Sequence, residues 1–197
     1  MTNAINLIDG IDGLAAGISI IASVTFGIFY WIQGMELQAG ICAAIAGAAA
    51  GFLIFNWHPA KIFMGDSGSL FLGFCLAMLP LLSQRDDGAE IGLISASTTL
   101  AIPIFDTLLA IYRRKKAGVS FFTSDKKHFH HMLLAKYSST TRTVWAIYLF
   151  NVILSIVALS TLFLGRAISF PLKLSVLVAV GAIFLVLNAR RERAEKD

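Results

Sequence analysis

Two short acidic segments lie directly beside long apolar stretches in this chain of 197 residues. The first, residues 3–14, reads NAINLIDGIDGL, and the second, residues 63–73, reads FMGDSGSLFLG. An ionised carboxylate at the edge of a membrane is energetically costly unless it binds a metal, a ligand or an opposite charge. Both segments are therefore candidate functional sites.

The first segment places four polar side chains at steps of three, namely Asn3, Asn6, Asp9 and Asp12. If the segment is helical, neighbouring members share a face and converge on one ligand. Gly10 and Gly13 leave room for a neighbouring helix or a phosphate group. The structural alternative is a polar helix start with an aspartate as its cap. An EF-hand loop fits poorly, because the alternating acids and the closing glutamate are absent.

The second segment belongs to a longer motif, residues 55–69, which reads FNWHPAKIFMGDSGS. Gly65 and Gly68 flank Asp66 and Ser67 just before an apolar stretch, an arrangement that can aim backbone N–H groups and a carboxylate at a metal-bound phosphate. The alternative is a simple turn in which Ser67 caps the next helix. The GDSG string also surrounds the nucleophile of chymotrypsin-like proteases, but that fold needs many alternating strands, which this sequence does not predict.

A third group of candidates follows the fourth apolar stretch, where Asp106 precedes the basic run 113–116 and the string DKKHFHH at 125–131. A basic run beside a span is typically a topology determinant. On a helix, His128 and His131 share a face and can bind a phosphate. Zinc is a minor alternative, because no Cys or His elsewhere completes a ligand set.

The elements that position these residues follow from composition. Apolar residues make up 57% of the chain and charged residues 14%, and the mean hydropathy is +0.76. Six stretches reach or approach the roughly 20 apolar residues that cross a bilayer. They are residues 14–32, 37–57, 69–83, 91–112, 143–165 and 168–187. The sequence therefore predicts an all-α, polytopic membrane helix bundle with about six transmembrane helices in one domain, residues 1–197.

Two of these stretches carry further expectations. The third is short and is expected to borrow flanking residues. The second is rich in Gly and Ala, which suits close helix packing in lipid and predicts an interior helix. Cys42 and Cys75 both lie in apolar stretches and are predicted to be buried free thiols rather than disulfide or metal ligands.

Basic residues collect in alternate connecting segments. They are Lys61, Arg113, Arg114, Lys115, Lys116, Lys126, Lys127, Lys136, Arg142, Arg190, Arg191, Arg193 and Lys196. The other connecting segments hold little beyond Arg85 and Arg166. The positive-inside rule places the first set in the cytoplasm, together with both termini. All three candidate segments then face the cytoplasm.

Three signatures, in order along the chain, resemble the polyprenyl-phosphate N-acetylhexosamine-1-phosphate transferases, glycosyltransferase family 4. They are NAINLIDGIDGLAAG, FNWHPAKIFMGDSGSLFLG, and PIFDTLLAIYRRKKAG with DKKHFHH. The resemblance covers essentially the whole chain and corresponds to the C-terminal part of the family. The HFHH string is similar to the N-acetylglucosamine-type branch.

The resemblance implies a reaction and its partners. A polyprenyl phosphate oxygen attacks the sugar-bearing phosphorus of a UDP-N-acetylhexosamine, such as UDP-GlcNAc, and UMP leaves. Mg²⁺, with Mn²⁺ as the alternative ion, would bridge the pyrophosphate. Membrane lipids are the other expected partner, and no nucleic acid is expected. The implied location is the bacterial cytoplasmic (inner) membrane, where the family starts cell-wall and surface glycans.

The resemblance also implies roles for individual residues. Asp66 is the metal ligand, Asp9 and Asp12 line the metal and phosphate pocket, and Asp106 supports it, so these four are the candidate catalytic residues. Phe63 would stack on uracil. The candidate substrate-binding residues are Asn6, Asn56, Phe63, Arg113, Arg114, His128, His130 and His131.

One departure from the family pattern changes the expectation for activity. Family members carry additional spans before the first motif, including an Asp-Asp pair, whereas the Asp86-Asp87 pair here falls on the predicted outer face. The chain is therefore expected to be inactive alone and to need an N-terminal half-protein or a homo-oligomer. The alternatives are a non-catalytic membrane subunit or pseudoenzyme that binds UDP-sugar, and, least favoured, a proton-coupled transporter.

Overall fold

The computed structural model describes residues 1–82, 89–118, 120 and 128–194. Within these ranges the chain is helical and contains no strand, which confirms the all-α prediction. The helices are α1 (Thr2–Ile8), α2 (Leu14–Ile32), α3 (Glu36–Asn56), α4 (Gly65–Met78), α5 (Ala89–Thr99), α6 (Ala101–Ala117), α7 (Phe129–Tyr137), α8 (Thr140–Leu159) and α9 (Arg166–Ala194). Five spans are long and apolar enough to cross a membrane, or six if the bent pair α5 and α6 forms one span.

The third apolar stretch borrows flanking residues at its N-terminal end, as the sequence predicts. Helix α4 begins at Gly65, four residues before the predicted start, and a 3₁₀ turn, Leu79–Leu82, continues it. The combined segment, Gly65–Leu82, has 18 residues and therefore approaches the length that crosses a bilayer. Its first turn carries Asp66, so a candidate site residue begins a span.

The fourth stretch is not one straight helix. It breaks at Leu100 into α5 and α6, which meet at an angle of 79°. Pro103 explains the break, because a proline ring clashes with the carbonyl four residues earlier, here that of Thr99. The freed Thr99 carbonyl accepts a hydrogen bond from Nδ2 of Asn151 on α8, at 2.7 Å. The Asn151 amide thus satisfies the backbone carbonyl that the break would otherwise leave unpaired.

The prediction that the second stretch is an interior helix is wrong for the described part of the chain. Helix α3 packs along α2, yet only 11% of its most apolar window is buried, against 61% for α2. An added Cβ would meet nothing within 4 Å at Gly40, Gly47 or Gly51. Small side chains permit close packing on any face of a helix, so their presence does not specify which face has a partner.

Helix α1 lies antiparallel against α4, and a glycine makes this approach possible. A Cβ at Gly73 would lie 2.7 Å from the Thr2 backbone. One turn further along α1, Asn6 faces Ser69 and Asp66, which lie nearer the start of α4. The first and second sequence motifs are brought together by this packing.

Helix α2 forms the centre of the bundle, with Ile18 and Ala22 fully buried. It contacts α3, α4 and α8. From α8, the Tyr148 hydroxyl donates to the Gly13 carbonyl at 2.5 Å. Cys42 is buried and Cys75 is half-buried, and both are free thiols, as the sequence predicts.

Candidate active site

Helix α1 ends at Ile8, so the expected single helical face from Asn3 to Asp12 does not form. Asn3 and Asn6 lie on the helix, whereas Asp9 is its C-terminal cap and residues 10–13 form the turn into α2. Successive Asn and Asp residues favour caps and turns because their short side chains compete for backbone hydrogen bonds. The turn still directs the acidic side chains of Asp9 and Asp12 to one cavity.

This cavity has a volume of about 350 Å³ and joins the first two sequence motifs. Its lining residues are Asn6, Asp9, Gly10, Ile11, Asp12, Asn56, Phe63, Met64, Gly65 and Asp66. Six of the twelve candidate site residues therefore surround one space. We call it the carboxylate cavity.

Asn6 fixes one wall of the carboxylate cavity. Its Nδ2 donates to Asp66 Oδ1 and to Ser69 Oγ, each at 2.9 Å. Ser69 Oγ in turn donates to the Gly65 carbonyl at 2.8 Å. The Asp66 carboxylate is thus held in place by an amide, while its side chain remains exposed to the cavity.

The two carboxylates of Asp9 and Asp66 repel each other across the cavity. Burial first, and then the charge of Asp66, raise the pKa of Asp9 to about 6. A like charge nearby and a low dielectric both disfavour the ionised form. A cation placed between the two side chains would reverse this cost.

A magnesium ion fits this donor set chemically. Mg²⁺ in substrate-phosphate sites is commonly bound through one or two carboxylates, with waters and phosphate oxygens completing an octahedron. Asp9 and Asp66 supply two such carboxylates beside a cavity with room for a phosphate. No group of three or more His, Cys, Asp or Glu side chains is arranged for a metal among the described residues, which excludes a zinc-type cage only for that part of the chain.

Asp12 has a different role from Asp9, although both line the cavity. Its Oδ2 contacts Nδ1 of His58 at 2.8 Å and accepts from the Ala60 backbone N–H at 3.1 Å. These bonds tie the α1–α2 turn to the loop between α3 and α4. Asp12 therefore shapes the wall that carries Phe63.

Asn56 is buried and uses both ends of its amide within the protein. Its Oδ1 accepts from the Gly13 N–H, and its Nδ2 donates to the Ile62 carbonyl, each at 2.9 Å. The neighbouring Phe63 is 77% exposed while lining the cavity. An exposed aromatic face beside carboxylates is suited to stacking on a planar ring.

Asp106 does not line the carboxylate cavity. It is buried on α6, where its Oδ2 contacts Nδ1 of His128 at 2.9 Å and its Oδ1 accepts from the Phe129 N–H at 2.8 Å. His128 is the N-cap of α7 with extended backbone, so it does not share a helix face with His131 as the sequence suggested. Its ring instead stacks on the ring of His130, with the ring centroids 5.7 Å apart and an angle of 7° between the ring planes.

His130 connects this buried pair to the cavity. A Cβ at Gly10 would lie 2.7 Å from His130 Nε2, so the ring fills the space that this glycine leaves. Burial, and then the neighbouring His131, lower the pKa of His130 to about 4. In this environment the neutral form of the His130 ring is favoured at pH 7.

The remaining candidates lie away from the cavity walls. His131 is half-buried beside His130, with ring centroids 4.3 Å apart. Arg113 and Arg114 lie on α6, and Arg113 Nη1 donates to Asn188 of α9 at 3.4 Å. None of the three lines the carboxylate cavity.

The sequence of this chain is similar to those of known proteins. Residues 1–84, which include the whole carboxylate cavity, match the model of "Glycosyl transferase family 4". The "probable undecaprenyl-phosphate N-acetylglucosaminyl 1-phosphate transferase" of Bacillus subtilis is 43% identical over 159 residues, 81% of this chain and 44% of the relative. Over residues 1–84 the chain is thus similar to glycosyl transferase family 4.

Two further relatives match different shares of the chain. The decaprenyl-phosphate N-acetylglucosaminephosphotransferase of Mycobacterium tuberculosis is 37% identical over 97% of the chain and 52% of the relative. The phospho-N-acetylmuramoyl-pentapeptide-transferase of Geobacillus thermodenitrificans is 38% identical over 68% of the chain and 40% of the relative. The chain thus spans about half the length of these relatives.

Sequence reasoning missed three contributors to the candidate site. They are Gly10, against which His130 packs, His58, which contacts Asp12, and Ser69, which accepts a hydrogen bond from Asn6. Two of them carried a local signal, because His58 lies within the second motif and Ser69 lies one helical turn after Asp66. The pairings themselves span 46 and 63 residues, and no local pattern encodes them.

Proposed function

We propose that this chain takes part in the transfer of N-acetylhexosamine 1-phosphate, with N-acetylglucosamine as the sugar, from UDP-sugar to polyprenyl phosphate. UMP is the leaving product, and the carboxylate cavity faces the cytoplasm of a bacterial inner membrane. The observation that carries the proposal is the pair Asp9 and Asp66 on one cavity, with Phe63 exposed at its wall. The names of the relatives supply the substrate classes.

Different residues of the cavity would bind the base and the pyrophosphate of a nucleotide sugar. Phe63 offers a stacking surface for uracil, and Asn56 holds the loop that presents it. Asp66, oriented by Asn6, would hold Mg²⁺ together with Asp9. When bound, the ion neutralises pyrophosphate charge in the displacement, a contribution of several kcal/mol. The exposed apolar surfaces of the helices fit a lipid-borne acceptor.

The direct test measures UMP release in nanodiscs from UDP-GlcNAc, undecaprenyl phosphate and Mg²⁺. We expect no release above background from the isolated chain, and release when it is co-expressed with the N-terminal half of the Bacillus subtilis relative. The reason is the small number of available carboxylates. Asp12 contacts His58 and Asp106 contacts His128, so among the described residues only Asp9 and Asp66 present to the cavity a carboxylate that does not contact a histidine. Turnover by the isolated chain would contradict this expectation.

Binding separates the transferase from the non-catalytic alternative. Calorimetric titration with UDP-GlcNAc should detect binding in wild type and a weaker affinity in Phe63→Ala. Leu37→Ala, at an equally exposed site on α3, is the control and should bind as wild type does. Binding without UMP release in the co-expressed complex would favour a non-catalytic UDP-sugar-binding subunit. Absence of both would reject the proposed function.

A further inference from the structure

Asp106 and His128 form a buried pair whose geometry leaves little freedom to either side chain. Asp106 is 1% exposed and His128 is 5% exposed. Because a carboxylate only accepts hydrogen bonds, the proton between them belongs to Nδ1 of His128. The second carboxylate oxygen is used by the Phe129 N–H at the start of α7. One side chain therefore starts the helix and orients the histidine that precedes it.

The pair is connected to the carboxylate cavity through one more ring. The His128 ring lies parallel to that of His130, and His130 Nε2 lies against Gly10, which lines the cavity. His130 is 2% exposed, and its Nε2 has no hydrogen-bond partner in the described part of the chain. A buried nitrogen without a partner is costly, so such a group commonly marks a functional position.

A direct role for Asp106 in binding metal or phosphate does not agree with this geometry. Its side chain does not line the cavity, and both oxygens are already bonded. A simple helix cap would need only one of those oxygens. The bond to His128 is the additional feature, and it sets the plane of the ring on which His130 stacks.

We propose that Asp106 is a positioning residue: it fixes His128 and, through the stacked His130 ring, sets where His130 Nε2 lies beside the Asp9–Asp12 turn. In this role a carboxylate selects the tautomer and orientation of an imidazole, as in other carboxylate–histidine pairs. The consequence for catalysis rests on the proposed function, whereas the structural role does not.

The structural role is tested by ¹⁵N NMR of histidine-labelled full-length chain in detergent, with the His128 signal assigned through its loss in His128→Gln. In wild type we expect a proton on Nδ1 of His128. In Asp106→Asn the amide oxygen still caps Phe129, but the amide NH₂ opposes the Nδ1 proton. The His128 signal should therefore change to the form protonated only on Nε2, and the His130 signal should shift.

Two further variants show that the effect travels through the stacked rings. Gly10→Ala should shift the His130 signal and leave the His128 tautomer unchanged, while Gly47→Ala, where the added Cβ meets nothing, should alter neither. An unchanged His128 signal in Asp106→Asn would overturn the proposal. If that variant does not fold, a wild-type His128 ring without a proton on Nδ1 would overturn it instead.

Kinetics of the co-expressed complex test the catalytic consequence. Asp106→Asn should lower kcat for UMP release by at least about tenfold and change the KM for UDP-GlcNAc by less than about threefold, since a displaced positioning group affects the reacting geometry more than ground-state binding. A raised KM with unchanged kcat would mean that Asp106 contacts substrate and would overturn the positioning role. Absence of UMP release from wild type would reject the proposed function, and the NMR result would still decide the structural role.

Discussion

At the scale of single residues, charge is the dominant feature of the site. Asp9 and Asp66 face one cavity, and repulsion adds to burial in raising the pKa of Asp9. Asn6 holds the Asp66 carboxylate in place by donating a hydrogen bond to its Oδ1. Such an arrangement is unfavourable by itself and becomes favourable when a cation or a metal-bound phosphate occupies the cavity.

Replacing Asp66 tests this electrostatic account. Asp66→Asn removes one of the two facing charges, so we expect UMP release by the co-expressed complex to fall by about 100-fold or more. Mn²⁺ binding, followed by EPR, should weaken in the same variant without substrate present. Glu36→Gln, which neutralises an exposed carboxylate on α3, is the matched control and should leave both measurements unchanged. Equal losses in the two variants would remove the argument for Asp66.

His130 should make stability depend on pH. Its pKa is about 4 in the folded chain and 6.5 in the unfolded reference, so the unfolded chain binds more protons between these values. The contribution of His130 to stability is therefore present above pH 6.5 and is lost as the pH falls toward 4. We expect the Tm in detergent to drop less between pH 7.5 and pH 5 in His130→Asn than in wild type. An identical drop would show that His130 is accessible to protons in the folded state.

At the scale of elements, the site depends on how closely α1 approaches α4. The Thr2 backbone occupies the space that a side chain at Gly73 would need, so this contact sets the position of Asn6 relative to Asp66. The break between α5 and α6 has a similar function on the other side, because it begins α6 and so determines where Asp106 lies. Helix packing thus places side chains that the loops alone would leave apart.

Gly73→Ala should separate α1 from α4. The added Cβ would lie 2.7 Å from backbone atoms of Thr2, which cannot rotate away. We expect a loss of about 1–3 kcal/mol in stability, typical of overpacking, read as a lower Tm, together with weaker Mn²⁺ binding. Gly51→Ala adds the same group to an open surface of α3 and should leave both unchanged. A wild-type Tm in Gly73→Ala would contradict the close approach.

At the scale of the whole molecule, the spans place every candidate motif at the same end of the bundle. The turn before α2, the loop between α3 and α4, and α7 meet around the carboxylate cavity and His130. Among the described residues, Lys61 lies in the α3–α4 loop and Lys136 on α7, so the positive-inside rule leads us to expect that this end faces the cytoplasm. A cytoplasmic site is where a UDP-sugar would be available.

Cysteine labelling tests this orientation in a chain whose two native cysteines are replaced. A cysteine at Ser120 should react with an impermeant maleimide only from the cytoplasm, and one at Glu36 only from outside, because α3 separates the two ends. Both positions are exposed, so a lack of access would not explain a negative result. External labelling at Ser120 would invert the topology and, with it, the location of the site.

The sequence by itself determined the class of fold and half of the site. The length of an apolar stretch is a local property of the sequence, and it decides whether the stretch can cross the bilayer. The spans therefore follow from hydropathy with few errors. Asp9, Asp12 and Asp66 were identifiable because each lies in a short polar string beside an apolar stretch. The family resemblance rested on the same strings. Both the resemblance and the identification of these aspartates are independent of which helices are neighbours.

Only the tertiary structure decided which side chains work together. Asp106 pairs with His128 across 22 residues, Asp12 with His58 across 46, and Asn6 with Asp66 across 60. It also decided that α3 has one uncovered face and that the fourth stretch bends at Leu100. Such features arise from packing between elements that are distant in the sequence. A single glycine or backbone carbonyl can determine which helix packs there, and no periodicity within one stretch encodes which helix that is.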